Sequence, residues 1–190
     1  MKATGRDRFA RHKKVILAVS ALIGLLPKSV IMRLLCVFRN VDGLVGIGLR
    51  YVLVKNVVRS CGDNVAIMPG VFLHGVKGID FGSNVSIHSM CYLDGTGGIR
   101  IADNVSIAHA CSILSTDHTW GNESVPVKYN PETRSEVCIE EDVWIGCGSR
   151  ILAGSVIGSR SVVAAGAVVT KSLASGGLYG GVPAKEIKRL

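Results

Sequence analysis

The sequence predicts an all-β solenoid: a parallel β-helix of about five coils, with an N-terminal helical segment and an extruded loop at 115–137. Two observations predict it. Aliphatic residues recur every six positions within 61–190, and the chain before the loop aligns with itself in rows of twenty residues. A period of six is neither the 3.6 of a helix nor the 2 of a strand. It therefore indicates a short strand followed by a tight corner, repeated many times.

The N-terminal segment, residues 1–60, is basic and apolar. It holds twelve Lys and Arg against Asp7 and Asp42, a balance of +10, whereas residues 61–190 hold ten against twelve acids, a balance of −2. Pro27 predicts a break between two short helices. Two roles stay open for this segment: helices lying on anionic lipid, or a helical cap over the first coil or a trimer contact. Few aromatic residues interleave the cations, which argues against nucleic acid as a partner.

The chain carries no clear export signal. The apolar run VILAVSALIGLL at 15–26 is shorter than the roughly 20 residues that span a bilayer. No A-x-A-like cleavage site follows it, and the six cysteines form no CxxC pair. We interpret the cysteines as small buried residues of a reducing compartment. The expected location is therefore the cytoplasm, with peripheral contact to the inner face of the cell membrane.

The repeat itself begins at residue 61. Rows 61–80, 81–100 and 101–120 open with CGDNVA, FGSNVS and IADNVS. After the loop the aliphatic step resumes at Ile139, Ile145, Ile151, Ile157, Val163 and Val169. Three hexads close one triangular coil, and coils stack by parallel pairing about 4.8 Å apart. Asn and Gly at the corners tolerate left-handed backbone angles, so the pattern predicts a prism filled by its aliphatic ladder.

The C-terminal stretch 142–190 resembles the closing signature of the hexapeptide-repeat acyltransferases. It contains VWIG at 143–146, VVTK at 168–171 and GVPAK at 181–185. The likeness covers about residues 61–190. The first sixty residues resemble those of O-acetyltransferases that decorate bacterial surface polysaccharides. The resemblance implies left-handed winding, acetyl-CoA as co-substrate and a threefold homotrimer.

The hexad rhythm stops at STDHTW, residues 115–120. In similar sugar and antibiotic acetyltransferases the catalytic histidine stands where a coil gives way to an extruded loop, which implies that His118 is the general base. An imidazole with an ordinary pKa near 6.5 suits that task. The sequence shows no nucleophilic Ser or Cys motif, so we expect the acceptor to attack directly. Asp117, the preceding residue, is a weaker candidate for orienting His118.

Asp94 is the second candidate catalytic residue. It lies in CYLDGTGG, one coil before His118 on the corresponding corner, so a stacked arrangement predicts that the two are close. Related sugar acetyltransferases have an acidic residue in a similar LDG context that touches the acceptor. The alternative is a corner aspartate that caps backbone groups.

The resemblance also implies a donor site. Backbone groups near Cys147 and Ala165 would hold the pantetheine arm of coenzyme A, and cations would meet its phosphates. The donor-binding candidates are Trp144, Cys147, Ala165, Thr170, Lys171 and Lys188. The alternatives are edge packing for the tryptophan and solvated surface charge for the lysines.

Together these features predict an O-acetyltransferase that acts on a sugar hydroxyl of a surface polysaccharide or its precursor. N-acetylation of an amino-sugar nucleotide stays open as an alternative. So does a different class, either a non-catalytic β-helix scaffold or a metal-dependent enzyme like the β-helical carbonic anhydrases. Zinc needs three convergent imidazoles. His88, His109 and His118 are out of register, so we expect no metal.

Overall fold

The computed structural model describes residues 4–190, so the first three residues of segment 1–60 lie outside the described part. Three helices come first: α1 (Gly5–Ile23), α2 (Lys28–Val37) and α3 (Gly43–Lys55). Pro27 directly precedes α2, which confirms the predicted break. The third helix was not predicted. Its glycines Gly43, Gly46 and Gly48 lower helical propensity, and tertiary packing has to compensate for them.

Strands then wind around three faces. Face A contains β1 (Ser60–Cys61), β4 (Ile79–Phe81), β7 (Ile99–Ile101), β12 (Val137–Ile139) and β15 (Val156–Ile157). Face B contains β2 (Ala66–Ile67), β5 (Ser86–Ile87), β8 (Ser106–Ile107), β13 (Trp144–Ile145), β16 (Val162–Val163), β18 (Gly177–Gly180) and β19 (Lys185–Arg189). Face C contains β3 (Phe72–His74), β6 (Tyr92–Asp94), β9 (Ser112–Leu114), β14 (Arg150–Ile151) and β17 (Val168–Val169).

The register of the strands confirms the repeat seen in the sequence. Ile67 pairs with Ile87 and Ile87 with Ile107, a step of twenty residues, whereas Ile145 pairs with Val163, a step of eighteen. Five complete coils result, and β18 begins a sixth by pairing with β16. The parallel solenoid and its N-terminal helical segment are as predicted, and the hexapeptide repeat implies left-handed winding.

Inside the prism, the aliphatic ladder is buried. Ile87, Ile107, Ile145 and Ile151 have no exposed surface. Burying one such side chain contributes about 1.5–3 kcal/mol. At the corner between faces A and B, the backbones of Asn64, Asn84 and Asn104 adopt left-handed φ angles of 55°, 58° and 59°. Their side-chain amides form a hydrogen-bonded ladder at 3.1 and 3.2 Å. The predicted corner chemistry is confirmed for these asparagines.

The helical segment covers the open end of the first coil. Tyr51, Val52 and Val54 of α3 belong to the same buried cluster as Ile67 of the first coil. Arg50 is 1% exposed and joins the two parts: its guanidinium donates to the carbonyls of Ile67 and Val41, each at 2.7 Å. Within residues 4–190, no helix is both long enough and apolar enough to cross a membrane.

The cysteines differ in burial, and all six thiols are free. Cys91 and Cys111 are buried in the prism, as interpreted from the sequence, whereas Cys61, Cys138 and Cys147 are partly buried. Cys36 is exposed, so the interpretation as buried was wrong for that residue. It lies on the outer surface of α2, where the hexad pattern that marks the interior of the coils does not apply.

Candidate active site at the extruded hairpin

The loop at 115–137 leaves the stack at the corner between faces C and A, after the third coil. It begins with β10 (Thr116–His118), which pairs antiparallel with β11 (Glu132–Arg134). Ser115 closes the base, since its carbonyl accepts from Ser135 N at 3.0 Å and its hydroxyl accepts from Gly97 N at 2.8 Å. A Cβ on Gly97 would lie 2.1 Å from the Ser115 carbonyl oxygen, so this close approach requires glycine.

Asn130 organises the tip of the loop. Its side chain is 5% exposed and accepts from Asn122 N at 2.9 Å. Its amide donates to the carbonyls of Asn122 and Pro126 at 3.2 and 3.3 Å. A single 3₁₀ turn, Val127–Tyr129, completes the loop. The segment predicted as an irregular loop is therefore a hairpin with an ordered tip.

His118 stands on β10 and faces a carboxylate across the hairpin. Its Nε2 lies 3.5 Å from Oε1 of Glu132, the residue that pairs with it. Both side chains are more than half exposed, so solvent reaches the imidazole. Asp117 does not orient the ring in this structure, because its carboxylate accepts from the main-chain N–H of His118 at 2.9 Å.

Asp94 ends β6 beneath the hairpin and is 9% exposed. Its carboxylate accepts from Thr96 N at 3.0 Å, from the Thr96 hydroxyl at 2.6 Å and from the Thr116 hydroxyl at 3.0 Å. Burial alone would raise the pKa of this carboxyl, but the hydrogen bonds from Thr96 and Thr116 and the nearby His74 hold its pKa below the ordinary value. Thr116 and His118 share one face of β10, since side chains alternate along a strand. Asp94 is thus linked to the hairpin that carries His118, although its hydrogen-bond partners in the described chain do not include the imidazole.

The donor-binding candidates fall into separate places. Cys147 and Ala165 come together at the corner between faces B and C, where Gly166 N donates to the Cys147 carbonyl at 2.8 Å. Thr170 and Lys171 are exposed on the other edge of face C, at the same corner as the hairpin and two coils further along the stack.

The remaining donor candidates lie on face B. Trp144 is half exposed there, between Ser106 and Val162. Lys188 is exposed on β19, opposite Leu178. A single chain therefore spreads the six predicted donor residues over more than one surface.

The described residues, 4–190, bring together no group of three His, Cys, Asp or Glu side chains that could hold a metal ion. His88 and His109 follow positions Ile87 and Ile107, which pair with each other, so the two histidines are one residue out of register.

The structure adds residues that sequence reasoning missed. Glu132, Thr116 and Asn130 were not among the candidates, because antiparallel pairing inside an irregular loop leaves no hexad signal. The sequence held only a weak signal for the hairpin. Thr116 precedes the turn residue Asn122 by as many positions as Glu132 follows the turn residue Pro126.

Comparisons with known proteins agree with the fold. Residues 139–171 match a family model described as bacterial transferase hexapeptide, with six repeats. A curated 2,3,4,5-tetrahydropyridine-2,6-dicarboxylate N-acetyltransferase of Staphylococcus aureus is 46% identical over 59 residues. That alignment covers 31% of this chain and only a quarter, 25%, of the relative's length.

Solved structures match over a longer stretch. A maltose O-acetyltransferase from Clostridium difficile 630 superposes with a TM-score of 0.77 at 26% identity, over 86% of each chain. A hexapeptide-repeat acetyltransferase from Vibrio cholerae complexed with acetyl coenzyme A has a TM-score of 0.76 at 26% identity, again over 86% of each chain. A variant N-acyltransferase from Bacillus cereus, in complex with dTDP and coenzyme A, has a TM-score of 0.58 at 25% identity, over 71% of this chain and 86% of that one.

These matches agree with the hexad register and the stacked faces seen in the structure. In repeat and in fold, the chain is a hexapeptide-repeat protein that resembles the acetyltransferases of this type, sugar O-acetyltransferases among them.

Proposed function

We propose that the chain is an acetyl-CoA-dependent O-acetyltransferase that acts on a sugar hydroxyl of a surface polysaccharide or its precursor. The observation that carries the proposal is the ordered hairpin at the third coil. It presents His118 to solvent beside Glu132, at the same corner as Thr170 and Lys171. The similar Vibrio cholerae structure holds acetyl coenzyme A, and the similar Clostridium difficile protein is a maltose O-acetyltransferase.

The reaction follows from this arrangement. His118 accepts the proton of the acceptor hydroxyl as its oxygen attacks the thioester carbonyl, and the C–S bond then breaks. The proton passes to the departing thiolate, so the products are an acetyl ester and free coenzyme A. A positioned general base contributes about 10²–10⁴-fold to the rate. Glu132 would stabilise the imidazolium formed in this step, and Asp94 would hold the base of the hairpin through Thr116.

The donor is proposed to bind along face C. Backbone groups at Cys147 and Ala165 would hold the pantetheine arm, and Thr170 and Lys171 would approach the phosphates. Trp144 and Lys188 lie on face B of the same chain. A homotrimer would let these two residues reach a donor bound between neighbouring prisms, as the resemblance implies.

N-acetylation of an amino sugar is the second candidate. The similar Bacillus cereus protein is an N-acyltransferase bound to dTDP, and the Staphylococcus aureus relative is an N-acetyltransferase. An amine is already nucleophilic and needs less help from a base, so this reaction would depend less on His118.

We also propose that residues 1–60 contact the inner face of the cell membrane, because the excess of +10 in that segment favours anionic lipid. The acceptor would then be a sugar carried on a lipid.

The test is thiol release from acetyl-CoA, scanned across free sugars, oligosaccharides and amino-sugar nucleotides. Wild type is compared with His118→Ala and with His88→Ala, which removes an exposed histidine from another corner. We expect sugar-dependent release that falls by about 10²–10⁴-fold in His118→Ala and is unchanged in His88→Ala. Equal activity in all three proteins with a hydroxyl acceptor would remove His118 from the reaction, and activity confined to amines would favour the second candidate.

A further inference from the structure

Exposed apolar side chains cluster at the end of α1 and in the turn that follows it. Val15, Val19 and Leu22 are 66%, 41% and 67% exposed, and Leu25 and Leu26 are 82% and 39% exposed. We call these five residues the cap tip. Large apolar side chains that gather in one exposed patch usually mark an interaction surface.

The cap tip is one continuous face. Val15, Val19 and Leu22 are spaced by four and three residues, which places them on the same side of a helix. The chain keeps turning after α1, because Leu25 N donates to the Leu22 carbonyl at 3.2 Å and Leu26 N to that of Ile23 at 3.0 Å.

The opposite side of α1 is already occupied. Phe9, Ile16 and Ile23 of α1 pack against the main buried cluster, and Ser20 between them is buried. The helix therefore has two apolar sides, and only one of them contacts the rest of the protein.

Contacts of α1 show where the cap tip lies. Near its start, the guanidinium of Arg6 donates to the side chains of Asn84 and Asn104, on the second and third coils. Further along, Lys13 pairs with Asp63 of the first coil. The helix thus runs along the stack, and its last turns pass beyond the first coil. From Arg6 to Leu22 the helix rises about 24 Å at 1.5 Å per residue.

Three exposed cations precede the cap tip on α1. Arg8, Arg11 and Lys14 are exposed on the preceding turns of α1, and we call these three residues the collar. None of the three forms an ion pair with an acid in the described chain, 4–190. Exposed apolar residues on the later turns of α1, with unpaired cations on the turns before them, match the layering of acyl chains and anionic headgroups.

We propose that the cap tip inserts into the headgroup region of an anionic membrane, with the collar contacting lipid phosphates. A second copy of the chain fits the same surface less well. The five residues of a facing cap tip include no acid that could pair with the collar, whereas an anionic lipid surface offers phosphates to it. This inference rests on the membrane contact proposed above for residues 1–60, and because the binding needs neither donor nor acceptor, it stands or fails apart from the proposed acetyl transfer.

The experiment is co-sedimentation of the full chain with vesicles of phosphatidylglycerol and phosphatidylcholine in equal parts, beside vesicles of phosphatidylcholine alone. One variant carries Leu22→Ser, Leu25→Ser and Leu26→Ser. Its control is Val127→Ser, which removes an equally exposed apolar side chain, 62% exposed, from the hairpin loop. Circular dichroism checks that each variant folds, which exposed positions should permit.

A second variant changes the charges, with Arg8, Arg11 and Lys14 replaced by Gln. Its control replaces Lys77, Lys128 and Arg134 by Gln, which are exposed cations outside the helical segment. At about 1 kcal/mol per cation, loss of the collar should lower partitioning roughly 100-fold or more at low salt. The controls should bind like wild type, and binding should weaken as salt rises.

Three outcomes would overturn the proposal. The first is wild type that sediments with neither vesicle. The second is a loss of binding in the two controls as large as in the two variants. The third is a leucine variant that changes oligomeric state in sedimentation velocity but keeps its vesicle binding, which would assign the cap tip to a second copy.

Discussion

Removing the carboxylate of Asp94 should destabilise the protein by a calculable amount. Asp94→Ala deprives the Thr96 main-chain N–H of its acceptor, together with the hydroxyls of Thr96 and Thr116. The hydroxyls can rotate toward other acceptors, but the amide cannot. A hydrogen bond to a charged group contributes about 1.5–3 kcal/mol, so we expect a loss of about 2 kcal/mol.

For a chain of this size, that loss lowers Tm by about 4–8 °C, measured by differential scanning calorimetry. Asp103→Ala is the matched control, because Asp103 is an exposed corner aspartate that accepts from Ser83 N at 2.7 Å. Its loss should lower Tm by less than half as much. A second variant, Thr116→Val, keeps the Asp94 cap on Thr96 but cuts the link to the hairpin. It should cost about 1 kcal/mol and lower kcat.

The difference in Tm between wild type and Asp94→Ala should also depend on pH, because the Asp94 carboxylate titrates. The folded-state pKa of Asp94 lies below its ordinary value of 3.8. Its contribution is therefore fully present at neutral pH and is lost as the pH falls through the folded-state pKa. The Tm difference between wild type and Asp94→Ala should be constant well above pH 3.8 and shrink below it. A Tm within 1 °C of wild type at pH 7 would refute the reasoning.

Other predictions concern the hairpin, the donor edge and the buried arginine. Glu132→Gln should lower kcat less than about fivefold, because an exposed pair 3.5 Å apart contributes at most about 1 kcal/mol; a loss as large as that of His118→Ala would contradict this. Lys171→Gln should raise KM for acetyl-CoA severalfold and leave kcat within twofold, measured by thiol release; an unchanged KM would place the phosphates elsewhere. Arg50→Met should lower Tm by at least about 6 °C, because it removes the donor to the buried carbonyl of Ile67 and the donor to the carbonyl of Val41. A Tm within about 1 °C of wild type in that calorimetric trace would contradict the view that Arg50 joins the cap to the coils.

Much of the solenoid could be predicted from sequence because each coil repeats the same pattern, with aliphatic side chains inside the prism and left-handed residues at the corners. Ile87 and Ile107 are buried and Asn84 and Asn104 take left-handed corners, and both facts follow from the hexad alone. The residue type at a corner was less predictable, even within the repeat. Arg160 also takes a left-handed corner, with φ of 53°, although no local preference of arginine favours it.

The helical cap and the hairpin lie beyond the repeat, and prediction was correspondingly weaker there. Helix α3 contains three glycines and forms because Tyr51 and Val54 pack on the first coil, a contact that local sequence does not reveal. His118 stays a prediction, made from its place at the break in the hexad pattern and from the resemblance to sugar acetyltransferases. Glu132, which pairs with His118, could not be selected, because that pairing depends on how the thirteen residues between them fold, and Asn130 holds that segment through hydrogen bonds of its side chain.

Ser115 and Ser135 hold the two ends of the hairpin together at its base. The two ends of the insertion are hydrogen-bonded to each other at 3.0 Å, so the third and fourth coils stack as though nothing stood between them. The entropy of closing such a loop grows only with the logarithm of its length, and doubling the loop costs about 0.6 kcal/mol. Segments of other lengths and compositions could therefore be exchanged at this joint while the prism keeps its register. Variation at this joint would change the surface beside His118 and leave the stacking of the coils as it is.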